Sequence, residues 1–188
     1  MVVRHAFTVD EWHRMGETGL FGEDARLELL DGEVIEMSPI GSPHGGCVNF
    51  LTRALVEMAG DRAVIAVQNP VVLDNRSEPQ PDLAVLAPRS DGYRQSHPTP
   101  AEILLLVEVS DTTLVYDRDR KAPYYARAGV RECWIVDLAG DQILVMRSPG
   151  PAGYGDVRAL HRGERLHIEA MAGVELEAAD ILGPQQRT

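Results

Sequence analysis

Three ionisable side chains, taken in chain order, define the chemistry open to this sequence. They are Asp82 in Pro81-Asp82-Leu83, Glu108 in Val107-Glu108-Val109, and Lys121. An acid, a second acid and a lysine are the parts of a metal-dependent phosphodiesterase. Mg²⁺ or Mn²⁺ takes one or two carboxylates, keeps several waters and accepts phosphate oxygens as its other ligands. A nearby ammonium orients the water or neutralises charge growing on the phosphorus. Lys121 is the one lysine in a chain with seventeen arginines, and a compact ammonium is not interchangeable with a planar guanidinium. Glu108 interrupts an otherwise apolar run over 103–109, where an unpaired carboxylate is costly unless a cation or an arginine offsets it.

Other residues have both a chemical and a plain reading. His44, beside Gly45 and Gly46, contacts phosphate, helps move a proton, or simply starts a helix. Gln68 and Asp117 stand behind the main acids as weaker candidates for supporting the site or contacting substrate. A Ser110–Lys121 nucleophile pair lacks a legible oxyanion hole. A two-carboxylate glycosidase would have few stacking platforms in a chain only 5% aromatic.

The elements that must position these groups follow from local pattern. Thr8 and Glu11 form a capping-box signature for a helix over 9–15. Residues 26–37 alternate on both sides of Asp31-Gly32, a type I′ hairpin signal. The segment 42–46 breaks the chain before a helix carrying Val48, Leu51, Leu55, Met58 and Ala59, which Gly60 stops. Strands are expected over 63–67, 71–73, 83–86 and 103–109, the last buried on both faces. If 83–86 and 103–109 pair antiparallel, Asp82 and Glu108 meet at one end of the sheet. A helix over 117–128, with Pro123 in or near its first turn, ends at Gly129. Strands over 132–136 and 142–146 join across Ala139-Gly140, and a further pair lies within 154–175. The fold class is α/β in the mixed α+β sense, a mixed sheet with helices on its faces.

Composition sets the outer limits. The 188 residues suit one domain over 1–182 with a frayed tail over 183–188. No apolar run is long enough to span a bilayer, so no membrane partner is expected. Cys47 and Cys133 are too few for a disulfide framework, and a cytoplasmic chain with reduced thiols is the expectation. The net charge of -11 argues against general affinity for nucleic acid. The charge is uneven, however. Residues 23–36 are strongly acidic, whereas 118–131 hold Arg118, Arg120, Lys121, Arg127 and Arg131 against Asp119 alone.

Several motifs stand in a recognisable order: Glu-Leu-(x)2-Gly-Glu-Val from Glu28, Ser-Pro-(x)-Gly-(x)2-His ending at His44, then Pro81-Asp82-Leu83. Val107-Glu108-Val109-Ser110, Asp-(x)3-Lys-(x)3-Tyr from Asp117, and Gly-Val-Arg-Glu-(x)-Trp-Ile-Val-Asp from Gly129 follow. This order resembles a large bacterial endonuclease family of the PD-(D/E)XK, or restriction-endonuclease-like, superfamily, over about 7–146. The resemblance implies a mixed β-sheet core flanked by helices, with the active site at the sheet's end. It implies that Asp82 and Glu108 bind Mg²⁺ or Mn²⁺, that the Val109 carbonyl adds a ligand, and that Glu28 joins the acidic cluster and helps hold the metal. Alternating Glu residues in a hairpin equally mark a solvated face. The superfamily's lysine usually lies two residues after the second acid, where this chain has Ser110. The family resembled has moved it to the following helix, as Lys121, with Asp117, Lys121 and Tyr125 at i, i+4 and i+8 on one face. The implied activity is endonucleolytic hydrolysis of nucleic acid, DNA first, by a homodimer. The competing reading is a catalytically silent nuclease-like module for binding or regulation, which the acidic charge favours.

Overall fold

The apolar run that interrupts itself at Glu108 forms the central strand of the molecule. In the computed structural model, which describes residues 3–22 and 25–184, this strand is β5 (Ile103–Ser110). Before it come the hairpin β1 (Leu27–Leu30) and β2 (Glu33–Glu36), then β3 (Val64–Val67) and β4 (Leu83–Leu86). After it come β6 (Glu132–Asp137), β7 (Gln142–Gly150), β8 (Gly153–Leu160), β9 (Arg165–His167) and β10 (Glu175–Glu177). One six-stranded sheet has the order β3-β4-β5-β6-β7-β8. Its pairs are antiparallel except for β5 with β6, which is parallel. This is the mixed sheet flanked by helices that the motif order implied.

The helices are α1 (Val9–Glu17), α2 (Ser42–Ala59), α3 (Leu114–Tyr116), α4 (Ala122–Ala128) and α5 (Ala178–Leu182). Strand alternation sends Leu105, Val107 and Val109 to the face covered by α2, where Leu51 and Leu55 are fully buried. It sends Leu106 to the opposite face, with Ala122 and Tyr125 of α4. Glu108, two residues on, faces the same side as Leu106. β4 and β5 are antiparallel neighbours with Leu83 opposite Val107, so Asp82 and Glu108 lie at one end of the sheet.

Local signals were obeyed where a single residue enforces them. α1 carries the full Thr8–Glu11 capping box. Asp31 and Gly32 have φ of 53° and 75°, the two positive values that a type I′ turn requires. A Cβ on Gly32 would also lie 2.7 Å from the Ala6 side chain. Gly129 adopts the left-handed conformation that ends α4.

Four expectations are corrected. The segment 42–46 does not precede the helix but forms the first turn of α2, because Pro43 sits where a helix needs no N–H. Met58 is off that helix's buried face and Ala54 is on it. Residues 71–73 form no strand. The Val71, Val72 and Leu73 N–H groups donate instead to Pro79, Pro98 and Ser77 carbonyls in loops. The helix expected from 117 begins earlier: the helical path starts at Leu114, and Pro123 takes its place in the first turn of α4 only after a π turn, Asp117–Lys121. In that turn the Ala122 N–H reaches back to the Asp117 carbonyl, and the wider winding precedes a proline that would break a regular ladder. The pair sought within 154–175 is spread over β8, β9 and β10. Glu23 and Asp24 of the acidic stretch, and the expected tail from 185 on, lie outside the described residues.

Two consequences are measurable. Leu51→Ala opens a cavity between α2 and β5 and should lower unfolding free energy by about 2–5 kcal/mol in a urea titration. Burial, with the Asp82 charge, pushes the Cys47 thiol up to about 12, and burial also raises Cys133. Both thiols should therefore resist a disulfide reagent at pH 8 in the native protein and titrate as two per chain once it is unfolded.

Candidate active site

A cleft of about 420 Å³ opens where β4 begins and β5 ends, with the hairpin residues Ile35 and Met37, and Ile40 beyond them, forming an apolar lip. Asp82, Glu108, Lys121, Glu28, His44 and Asp117 all line it. Four separate stretches of chain deliver the four groups ranked first by sequence and resemblance, so their meeting is a property of the fold.

Lys121 is 4% exposed at its side chain and is surrounded by acceptors. Its Nζ lies 2.9 Å from Glu108 Oε1 and 3.3 Å from Glu28 Oε2, and it donates to the Gln80 carbonyl at 3.4 Å. Three donors thus meet three acceptors. Burial alone would lower its pKa, but the charges of Glu108, Glu28 and Asp117 raise it well above the ordinary value. The ammonium is therefore charged.

Glu28 proves to be 1% exposed, not a member of a solvated hairpin face. Tyr116 donates its hydroxyl to Oε1 at 3.0 Å, and the Gln80 N–H donates to Oε2 at 3.0 Å. Glu108 accepts from the Tyr125 hydroxyl as well as from Lys121. Burial, together with the Asp117 and Asp82 charges, pushes Glu108 up to about 8 against the pull of Lys121 and Tyr125. Asp82 behaves oppositely. Burial would raise it, but His44, the Val109 N–H and Lys121 together hold it below its usual range.

Asp117 lies behind this cluster and not in it. Its Oδ2 accepts from Ser110 at 2.7 Å and Thr113 at 2.6 Å, and burial raises its pKa. Ser110 therefore serves Asp117 and is not a partner of Lys121. His44 Nε2 lies 3.0 Å from Asp82 Oδ2, and Gln68 donates to Oδ1 at 3.3 Å. Val109 bonds Asp82 through its N–H at 2.8 Å. A strand residue turns its N–H and C=O to the same edge, so the Val109 carbonyl also lies on the Asp82 side.

Sequence reasoning missed Tyr116 and Gln80, and it placed Tyr125 on the Lys121 face without giving it a partner. The spacing of Tyr125 four residues beyond Lys121 was the available signal. Nothing local marks Tyr116 or the Gln80 backbone, since their partners lie 88 and 52 residues away. Three arginines of the basic stripe over 118–131 are already engaged. Arg118 pairs with Asp119, Arg120 with Glu33, and Arg127 stacks 4.1 Å over Tyr124.

The donor set suits a hard divalent cation. Four buried or half-buried acids face a single ammonium, and burial works against the ionised forms of Glu108 and Asp117; a cation at Asp82 and Glu108 would favour the ionised carboxylates. Among the described residues no three His, Cys, Asp or Glu side chains form a metal cage. One or two carboxylates are what Mg²⁺ uses when waters and phosphate complete its shell.

Among the described residues no helix is long and apolar enough to cross a membrane. No functionally curated protein matches the chain. Among solved structures, the chain is similar to a protein from Anabaena variabilis ATCC 29413 described as "a putative nuclease belonging to DUF820". The two share 13% identity over 94% of this chain and 97% of that one, with a TM-score of 0.71, a likeness of fold. The type IIG restriction endonuclease BpuSI overlaps 60% of this chain and 13% of its own length, at 19% identity and a TM-score of 0.37. A model of the Uma2 family, described as "Putative restriction endonuclease", matches residues 9–179. That match spans nearly the whole sequence, and the chain belongs to the Uma2 family, within the restriction-endonuclease-like superfamily.

Proposed function

We propose that this chain hydrolyses phosphodiester bonds in nucleic acid, DNA in the first instance, with Mg²⁺ or Mn²⁺. The observation that carries the reading is the convergence of Asp82, Glu108 and Lys121 in one cleft at the sheet's end. Asp82, Glu108 and the Val109 carbonyl would hold the cation. Bound there, it supplies Lewis-acid stabilisation of the charge that develops at phosphorus.

The chain's own groups divide the remaining work. Lys121, held charged, presents a fixed positive centre that steadies the attacking water and the transition state. Glu28 holds Lys121 through Oε2 and has Oε1 engaged by Tyr116, which makes it a partner of the ammonium more than of the cation. Tyr125 fixes the orientation of Glu108. The hairpin lip lowers the local dielectric, which strengthens each of these interactions. The competing reading, a silent module, draws support from Lys121 being fully engaged and from the paired arginines.

Titrating Mn²⁺ into wild type and Asp82→Asn by calorimetry separates the two. Saturable binding in the wild type alone, with Mn²⁺-dependent cleavage of DNA reduced about 100-fold or more by the substitution, is the expected result. Absence of binding and of cleavage in the wild type would leave the silent module. Lys121→Met removes the cation from two buried carboxylates and should cost about 3–5 kcal/mol in a denaturant titration. Adding Glu28→Gln to Lys121→Met should restore part of that loss, a non-additivity that identifies the ion pair as the cause.

A further inference from the structure

Asp82 is gripped from three elements, and the two oxygens are not treated alike. Oδ2 has both His44 Nε2 at 3.0 Å and the Val109 N–H at 2.8 Å, whereas Oδ1 has only the Gln68 amide at 3.3 Å. An ionised carboxylate can only accept, so the ring nitrogen facing it carries a proton.

Two unfavourable features converge on this one carboxylate. His44 Nδ1 is buried without a partner, and it is the only such side-chain atom among the described residues. A buried polar atom left unpaired opposes folding and calls for a reason. Gln68 has φ of 51°, the left-handed region that non-glycine side chains avoid unless surrounding contacts enforce it. Its N–H donates to the Asp82 carbonyl at 3.0 Å, so backbone and side chain of Gln68 both serve Asp82.

A helix-start role does not account for the imidazole. His44 is the third residue of α2, yet the bond it makes is to Asp82 and not to the helix backbone. Starting a helix calls for Ser, Thr, Asp or Asn at the cap, and here the cap is Gly41 with no side-chain bond.

We infer that His44 is a positioning residue, which fixes the Asp82 carboxylate through Oδ2 and leaves Oδ1 as the less engaged oxygen. Gln68 assists from β3's end, through the bend at its positive φ. The metal consequence rests on the proposed function, but the clamp itself does not. Hydrogen-bonding partners of a ligating carboxylate change metal affinity by about 10–100-fold when removed.

The experiment compares wild type, His44→Ala, His44→Gln and Asp82→Ala, each first checked for a cooperative thermal transition. In wild type, a long-range ¹H–¹⁵N spectrum of the histidine rings should show His44 protonated at Nε2, with that proton slow to exchange. Asp82→Ala should abolish the slow exchange. Calorimetry should show Mn²⁺ affinity about 10–100-fold weaker in His44→Ala and recovered in His44→Gln, whose amide places an N–H near the same point. A proton on Nδ1 alone, or one unaffected by Asp82→Ala, overturns the clamp. So does unchanged Mn²⁺ affinity in His44→Ala, or an equal loss in both His44 variants. If wild type binds no Mn²⁺, the metal reading falls while the ring spectrum still decides whether His44 holds Asp82.

Discussion

The burial of Lys121 is the constraint on which the site depends. Taking an ammonium and two carboxylates out of water costs several kcal/mol per ion unless each is both paired and hydrogen-bonded. That condition requires the hairpin's Glu28, the central strand's Glu108 and the Gln80 backbone to arrive within 3.4 Å of one nitrogen. Each comes from a different part of the chain, so the network forms only when hairpin, sheet and helix are docked together. A group that is expensive to misplace thereby becomes a selector for one arrangement of those three elements, in the way that buried polar groups fix register in other folds.

The π turn at Asp117–Lys121 is the local device that reconciles these demands. Asp117 must face Ser110 and Thr113, Lys121 must face Glu28 and Glu108, and Tyr125 must reach Glu108 from deeper in the core. One widened turn changes the angular position of everything after it and leaves room ahead of Pro123. Such turns occur mostly at functional sites, because an irregular ladder is less stable than a regular one and persists where side-chain placement compensates. The three residues share a buried side, as their spacing suggested. The way the helix accommodates them is not regular.

This division explains what could be read from the sequence. The type I′ turn, the two-faced burial of β5 and the termination at Gly129 were legible because each is dictated by residues adjacent in sequence. The meeting of Asp82 and Glu108 was legible because one antiparallel pairing suffices to produce it. Glu28 was ambiguous because alternation tells which face a side chain takes, not what later packs on that face. Tyr116 and the Gln80 loop cover it, and neither has a local signature. The beginning of α2 was misread for the opposite reason: proline and paired glycines usually punctuate a chain, but proline is equally at home in a helix's first turn.

The net charge of -11 is easier to reconcile with a nuclease-like site once the arginines are followed individually. Arg89, Arg118, Arg120, Arg147, Arg162 and Arg165 all pair with acids of the chain itself. They are committed to the fold, so a count of basic residues overstates what is free for phosphate. Affinity for a polyanion that relies on many phosphate contacts falls steeply with salt, because each contact releases condensed counterions. Six arginines engaged in this way leave fewer free for that mechanism over a broad surface. On the proposed reading, attraction for a phosphodiester would be concentrated at the cleft, where carboxylates would hold a divalent cation and the cation in turn would favour phosphate. Acids at the surface repel nucleic acid, whereas the buried acids of the cleft are what would make binding depend on metal.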